Sequence, residues 1–410
     1  MKKLLGVALG VLTAIGGFVD IGDLVSNALV GARFGMSLAW VVVLGVGGIC
    51  LFAEMAGRVT ALTGRPVFDL VRHRLGPRVG LLNLVASVLV TFLTLAAEIG
   101  GVALALQLAT DVHYLAWVPL TGLFVAIVLW RAPFQLIENV FGLLGLVLVV
   151  FVVALWQLSP DWSQLWQQAT HPAVPAGEGT GSWIYYGIAL LGAAMTPYEV
   201  FFFSSGGVEE RWTARDLGTA RINVFLGFPL GGLLSLAIMA CAAVTLGPAG
   251  IEVEQLSQVA IPVALALGKV GLAVAIIGFF AATFGAAMET SMSCGYAVAQ
   301  YFGWRWGKRV APRQAARYFA VALVSVLGGM LLMLTTLDPI MVTEYSIVFA
   351  AAALPLTYFP ILVVANDREA LGEHVNSRLT NASALCYLAL LLVVSVVTIP
   401  LMIATGAGGQ

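Results

Sequence analysis

Residues 16–31 read GGFVDIGDLVSNALVG. They fall inside an otherwise apolar first run and put Asp20 and Asp23, with Gly22 between them, at the depth where lipid belongs. A charge at the bilayer centre costs roughly 2.5–3.5 kcal/mol even on insertion-based scales. Carboxylates persist there where the helix is broken and the freed backbone lines a polar cavity or binds something. A second interruption, AMTPYEVFF at 194–202, has the same form. Its Thr196-Pro197-Tyr198-Glu199 matches Asp20-Ile21-Gly22-Asp23 position for position.

The surrounding chain is that of a polytopic all-α membrane protein. Of its 410 residues 60% are hydrophobic and 10% charged, against about 25% charged in soluble domains. Apolar runs long enough to cross the hydrocarbon predict eleven spans, at 4–32, 36–60, 79–108, 115–131, 134–158, 182–206, 220–247, 268–299, 314–336, 338–365 and 383–405. The opening MKKLLGVALG has the basic start and apolar run of a signal peptide but no convincing cleavage site, so it reads as a retained span with a cytoplasmic N-terminus. With that start, every Lys and Arg except Arg33 and Lys269 falls on the cytoplasmic side, as the positive-inside bias requires. The C-terminus is then external, and the cell's inner membrane is the expected location. No separate soluble domain is expected, so residues 1–410 form one transmembrane unit.

The two interruptions break the first and sixth spans. Two five-span halves, about 4–158 and 182–365, therefore enter the membrane from opposite sides, with 383–405 as an extra helix. Paired broken helices in inverted halves point to a carrier's midplane site. The ligands on offer are hard oxygens: Asp20, Asp23, Glu199, the Thr196 hydroxyl and freed carbonyls, including those near Gly22. Such donors suit Mg²⁺, Ca²⁺ or Mn²⁺, and three negative charges exceed what Na⁺ or an ammonium needs. Met195 is one conceivable soft ligand. His73, His113, His171 and His374 all lie in loops or at span ends, leaving no imidazole at the membrane centre to carry protons.

Other features read blandly. Cys50, Cys241, Cys294 and Cys386 lie far apart in apolar runs, with no CxxC pair, so buried thiols are expected. P-loop, HExxH and GxSxG motifs are absent; no enzyme, cofactor or nucleic-acid partner is expected, only a divalent cation and the bilayer, with a monomer as the functional unit. Glu54 and Glu138 are expected to pair with Arg58 and Arg131, Glu209-Glu210 to be a solvated loop, Glu289 to bond the hydroxyls of Thr290, Ser291 or Ser293, and Glu344 to attract cations in an external vestibule.

These residues resemble the Nramp family of divalent-metal transporters, which share the LeuT-like fold. The family's first-span Asp-Pro-Gly-Asn corresponds to Asp20-Ile21-Gly22-Asp23, and its sixth-span Met-Pro-His-Asn region to Gly192-Ala193-Ala194-Met195-Thr196-Pro197-Tyr198-Glu199. AEIGGVALALQL (97–108) resembles its Glu-containing third span, and Leu354-Pro355 and Asn366-Asp367-Arg368 match in kind. The resemblance implies that Asp20, Asp23, Glu199, Thr196 and the Ala193 carbonyl hold the ion, with Met195, Glu98, Tyr198 and Gly22 as accessories. The departures matter more. The family's metal-binding methionine aligns with Thr196, its asparagine with Asp23, its sixth-span histidines with Tyr198 and Phe203, and a third-span aspartate linked to protons with Leu95. That pattern is similar to the Nramp-related magnesium transporters, which implies Mg²⁺ carried without protons and Mn²⁺ tolerated. A proton-coupled Mn²⁺/Fe²⁺ symporter, a Na⁺-coupled organic-solute carrier and a non-transporting receptor are the alternatives.

Overall fold

The computed structural model describes residues 18–335 and 337–406, with the backbone alone at 138, 139, 141 and 142. The first half of the first expected span, the Glu138 side chain and the last four residues lie outside what is described. All regular structure among the described residues is helical. The helices are α1 Ile21–Phe34, α2 Ala39–Thr63, α3 Val67–Thr110, α4 Tyr114–Arg131, α5 Phe134–Gly145, α6 Val150–Leu158, α7 Trp162–Thr170, α8 Thr180–Ala194, α9 Pro197–Glu209, α10 Leu217–Ile222, α11 Phe228–Ala249, α12 Leu256–Phe302, α13 Ala316–Met333, α14 Pro339–Ala365, α15 Arg368–Leu371 and α16 Arg378–Ala404. Short 3₁₀ and π turns join α5 to α6 and α10 to α11.

Among the described residues nine helical stretches are long and apolar enough to cross a bilayer, with α8–α9 and α10–α11 each one stretch. The end of α5 and α6, with α7, form a further candidate bent by 117°. α1 is the described half of the first expected span. Helix therefore stands at every expected position, and both interruptions are breaks: Val19 and Asp20 precede α1, and Met195 and Thr196 separate α8 from α9.

The packing repeats with a shift of five spans. α1 lies against α11 as α9 lies against α2. α3 packs on α14 as α12 packs on α5 and α6, and α4 on α3 as α13 on α12. α3 and α12 themselves share an extensive contact. Both also carry a feature the hydropathy pattern misses. A short helix precedes each span, at 67–75 and 256–267, and turns into it at Gly76 (φ 82°) or Gly268 (φ 63°). A side chain at either glycine would meet open space, so it is the left-handed backbone that calls for glycine there.

Small residues set how closely the helices approach. A Cβ on Gly31 of α1 would stand 2.1 Å from the Met239 carbonyl oxygen of α11, and one on Gly247 of α11 2.9 Å from the Ala32 carbonyl of α1. This is the small-residue packing typical of membrane helices. Glu54 bonds both Arg58 (3.3 Å) and Arg221 (2.9 Å). Glu209 departs from expectation. It is buried, accepting the Tyr296 hydroxyl (3.1 Å) and the backbone amides of Lys308 and Arg309. Three cysteines are buried, whereas Cys386 is exposed because α16 lies at the edge of the bundle.

Candidate metal site

Asp20 caps α1. Its backbone is extended, and its Oδ1 accepts the Asp23 amide at 2.9 Å. The Ile21 amide, another donor the helix start leaves open, goes to Glu98 Oε1 on α3 at 3.1 Å. The carboxylates at this break thus offset the positive end of the half-helix, and Glu98 is tied to the break. Gly22 sits where a Cβ would come within 3.0 Å of Asp20 Oδ1 and 3.1 Å of Ile347 on α14.

The second break is built differently. Pro197, first residue of α9, has no amide hydrogen to give the Ala193 carbonyl, so that carbonyl loses its helical donor. The Met195 carbonyl accepts the Tyr358 hydroxyl of α14 at 3.1 Å, and the Met195 thioether packs against Gly48 of α2. The Thr196 hydroxyl donates to Glu199 Oε2 at 3.2 Å. Across the gap, the Tyr198 hydroxyl donates to Asp20 Oδ2 at 3.3 Å, and that bond joins the two breaks.

Asp23 lies on the other flank of α1. Its carboxylate accepts Asn27 Nδ2 at 2.9 Å and the hydroxyl of Ser235 on α11. Glu98, Glu199 and Glu289 each lie within electrostatic reach of Asp20. All are buried, and one oxygen each of Glu98 and Glu199 has no hydrogen-bond partner among the described residues. Glu289 is the residue that sequence reasoning misplaced. Thr290 and Ser291 bond carbonyls of their own helix, and Glu289 instead reaches the electrostatic field of Asp20 and Glu199. Its signal was legible as a lone charge in the apolar eighth span, but its neighbours were not. Among the described residues no three His, Cys, Asp or Glu side chains converge closely enough to ligate one ion directly. The charges surround a region rather than a point.

Glu344 stands farther out, in a crevice of about 10 Å³ shared with Ser26, Tyr185, Tyr186 and Ile347, room for roughly one water. Beyond it Arg33 grips Glu178 through two bonds of 2.7 and 3.2 Å and lies over the rings of Phe34 and Tyr186. That pair ties the end of α1 to the loop that leads into α8.

The chain matches the model of the natural resistance-associated macrophage protein-like family over residues 10–400. It belongs to the Nramp family. It is 25% identical over 372 residues to the divalent metal cation transporter MntH of Yersinia pestis (strain Pestoides F), spanning 88% of this chain and 87% of that one. The Yersinia pseudotuberculosis (serotype O:1b) protein of the same name matches equally. In fold, this Nramp chain resembles the Eremococcus coleocola manganese transporter in complex with an aromatic bis-isothiourea substituted compound, at a TM-score of 0.73 and 19% identity, over 97% of this chain and 87% of the other. It also resembles Mhp1, a nucleobase-cation-symport-1 family transporter, at a TM-score of 0.62 and 15% identity, over 96% and 91%. The LeuT-like architecture of an Nramp protein, with its first and sixth helices broken, is thus present.

Proposed function

We propose that this Nramp protein carries divalent cations into the cytoplasm, Mg²⁺ foremost with Mn²⁺ tolerated, down their electrochemical gradient and without protons. It does so as a monomer in the inner membrane, N-terminus inside and C-terminus outside. The observation that carries the reading is the buried group Asp20, Glu98, Glu199 and Glu289 around the two breaks, with uncommitted oxygens and no convergence on one point. Mg²⁺ sheds water reluctantly and is commonly held through several retained waters, so a dispersed, all-oxygen set suits it. Asp20, Glu199, Thr196 and the Ala193 carbonyl would face the hydrated ion, and Asp23 would join once α1 moves off Ser235. The hydroxyl at Thr196 supplies none of the softness that draws transition metals.

The second reading is proton-coupled Mn²⁺ transport, favoured by the names of the relatives, with Asp23 or Glu199 carrying the proton. Purified protein in liposomes containing a pH dye separates the two. Influx of Mg²⁺ and Mn²⁺ without acidification, lost in Asp20→Ala, is the expected result. Mn²⁺ flux alone with acidification replaces the first reading by the second, and no flux of either ion refutes both.

A further inference from the structure

One edge of the bundle gathers indoles that the cation site does not use. α7 leaves α6 at 117° and has no buried side chain. Trp156, Trp162 and Trp166 are 75%, 51% and 72% exposed. Beneath α7, between α2, α6 and α11, runs a groove of about 820 Å³ whose walls include Trp40, Val43 and Leu233. Its volume lies in the range of about 300–1,000 Å³ usual for small-molecule sites.

Its depth says what fills it. The wall extends along the fifth span from Leu146 to Trp156 and along α11 from Leu230 to Ala240. At about 1.5 Å per residue each stretch is roughly 15 Å long, half of a hydrocarbon core about 30 Å thick. The groove is therefore one leaflet deep. Its mouth carries the tryptophans that prefer the membrane interface. Beside the mouth, α7 also carries Gln164, Gln167 and the cap Asp161. The walls are apolar but for the Thr170 hydroxyl and the indole N–H groups, so they give a polar ligand few partners.

We propose that this groove seats a phospholipid, one acyl chain lying between α2, α6 and α11 with the head group at the polar edge of α7. The seat connects to the broken helix. Gln168 of α7 accepts the Met36 amide at 3.1 Å, in the turn that follows α1, so a chain beneath α7 supports the helix that holds this turn.

The test uses the full-length protein in vesicles of phosphatidylethanolamine and phosphatidylglycerol, doped with a phosphatidylcholine bearing a diazirine in mid-chain. After irradiation, adducts are located by peptide mass spectrometry. They are expected to concentrate within residues 146–170 and 230–240, and to fall about tenfold there, the loss of roughly two methylene contacts, in Leu233→Trp, which fills the groove. Trp166→Ala, at a side chain exposed enough for the fold not to depend on it, lowers them as well. Adducts on the exposed face of α16, around Leu379 and Val396, stay unchanged. Labelling as dense on α16 as in the groove, or labelling indifferent to both variants, overturns the proposal and leaves ordinary surrounding lipid. No cation flux is needed, so failure here is distinct from failure of the transport reading.

Discussion

Gly31→Ala tests how α1 is held. The new Cβ would lie 2.1 Å from the Met239 carbonyl oxygen and 3.0 Å from Ala242 Cβ. Carbon–oxygen contacts settle near 3.3–3.6 Å, so α1 must withdraw from α11 by about 1.2 Å. The obstacle is backbone, not the end of a flexible side chain, and overpacking of this kind costs about 1–3 kcal/mol. Withdrawal also breaks the Ser235 bond to Asp23, which spans the same helix pair. Unfolding followed by tryptophan fluorescence should show a melting temperature lower by on the order of a few degrees. Cation uptake in liposomes should change with it, because the carboxylate flank of α1 is displaced. Gly218→Ala is the control. Its Cβ meets nothing within 4 Å, and alanine gains up to about 1 kcal/mol over glycine in a helix, so melting should be unchanged or higher. A Gly31→Ala protein that melts with wild type would show that α1 does not rest on α11 through this glycine.

Three further outcomes are expected. Thr196→Met puts a thioether beside Glu199 and should raise Mn²⁺ and Cd²⁺ uptake relative to Mg²⁺ by about tenfold; an unchanged ratio in competition assays counts against Thr196 facing the ion. Glu289→Gln removes one ionisable carboxyl from the buried group and should raise the half-saturating Mg²⁺ concentration on the order of a few-fold, whereas unaltered saturation would make Glu289 structural only. Lys308, in the loop between α12 and α13, is held down at about 8 by burial, which outweighs the opposing pull of Glu209. Between pH 8 and the ordinary amine value of 10.5 the unfolded chain binds the more protons, so the lysine's contribution to stability rises with pH across that window. The melting temperature of wild type relative to Lys308→Met should climb from pH 8 to 10.5; a flat difference would show that the amine is not desolvated.

The broken first and sixth helices were legible because a carboxylate or proline in an apolar run is costly wherever the helix packs. The resemblance to Nramp rested on the same two stretches. The short helices at 67–75 and 256–267 were not legible, since each turns into its span at a glycine whose role is a left-handed φ rather than any hydropathy. The ion pair of Arg33 and Glu178 joins residues far apart in the chain and left no local trace.

Charge, length and helix-breaking residues act along the chain, and from them the sequence by itself determined a polytopic helical protein with two inverted halves and carboxylates at both breaks. Which carboxylates face each other was decided only by tertiary structure. Successive helical residues turn by about 100°, so a side chain's partner depends on the rotation and approach of its helix. That rotation turns Asp23 toward Ser235, leaves Asp20 to Tyr198, packs Met195 against Gly48 and brings Glu289 from the eighth span into the field of Asp20 and Glu199. Helix rotation is set by close contacts such as Gly31 on Met239, formed between segments that no local pattern links.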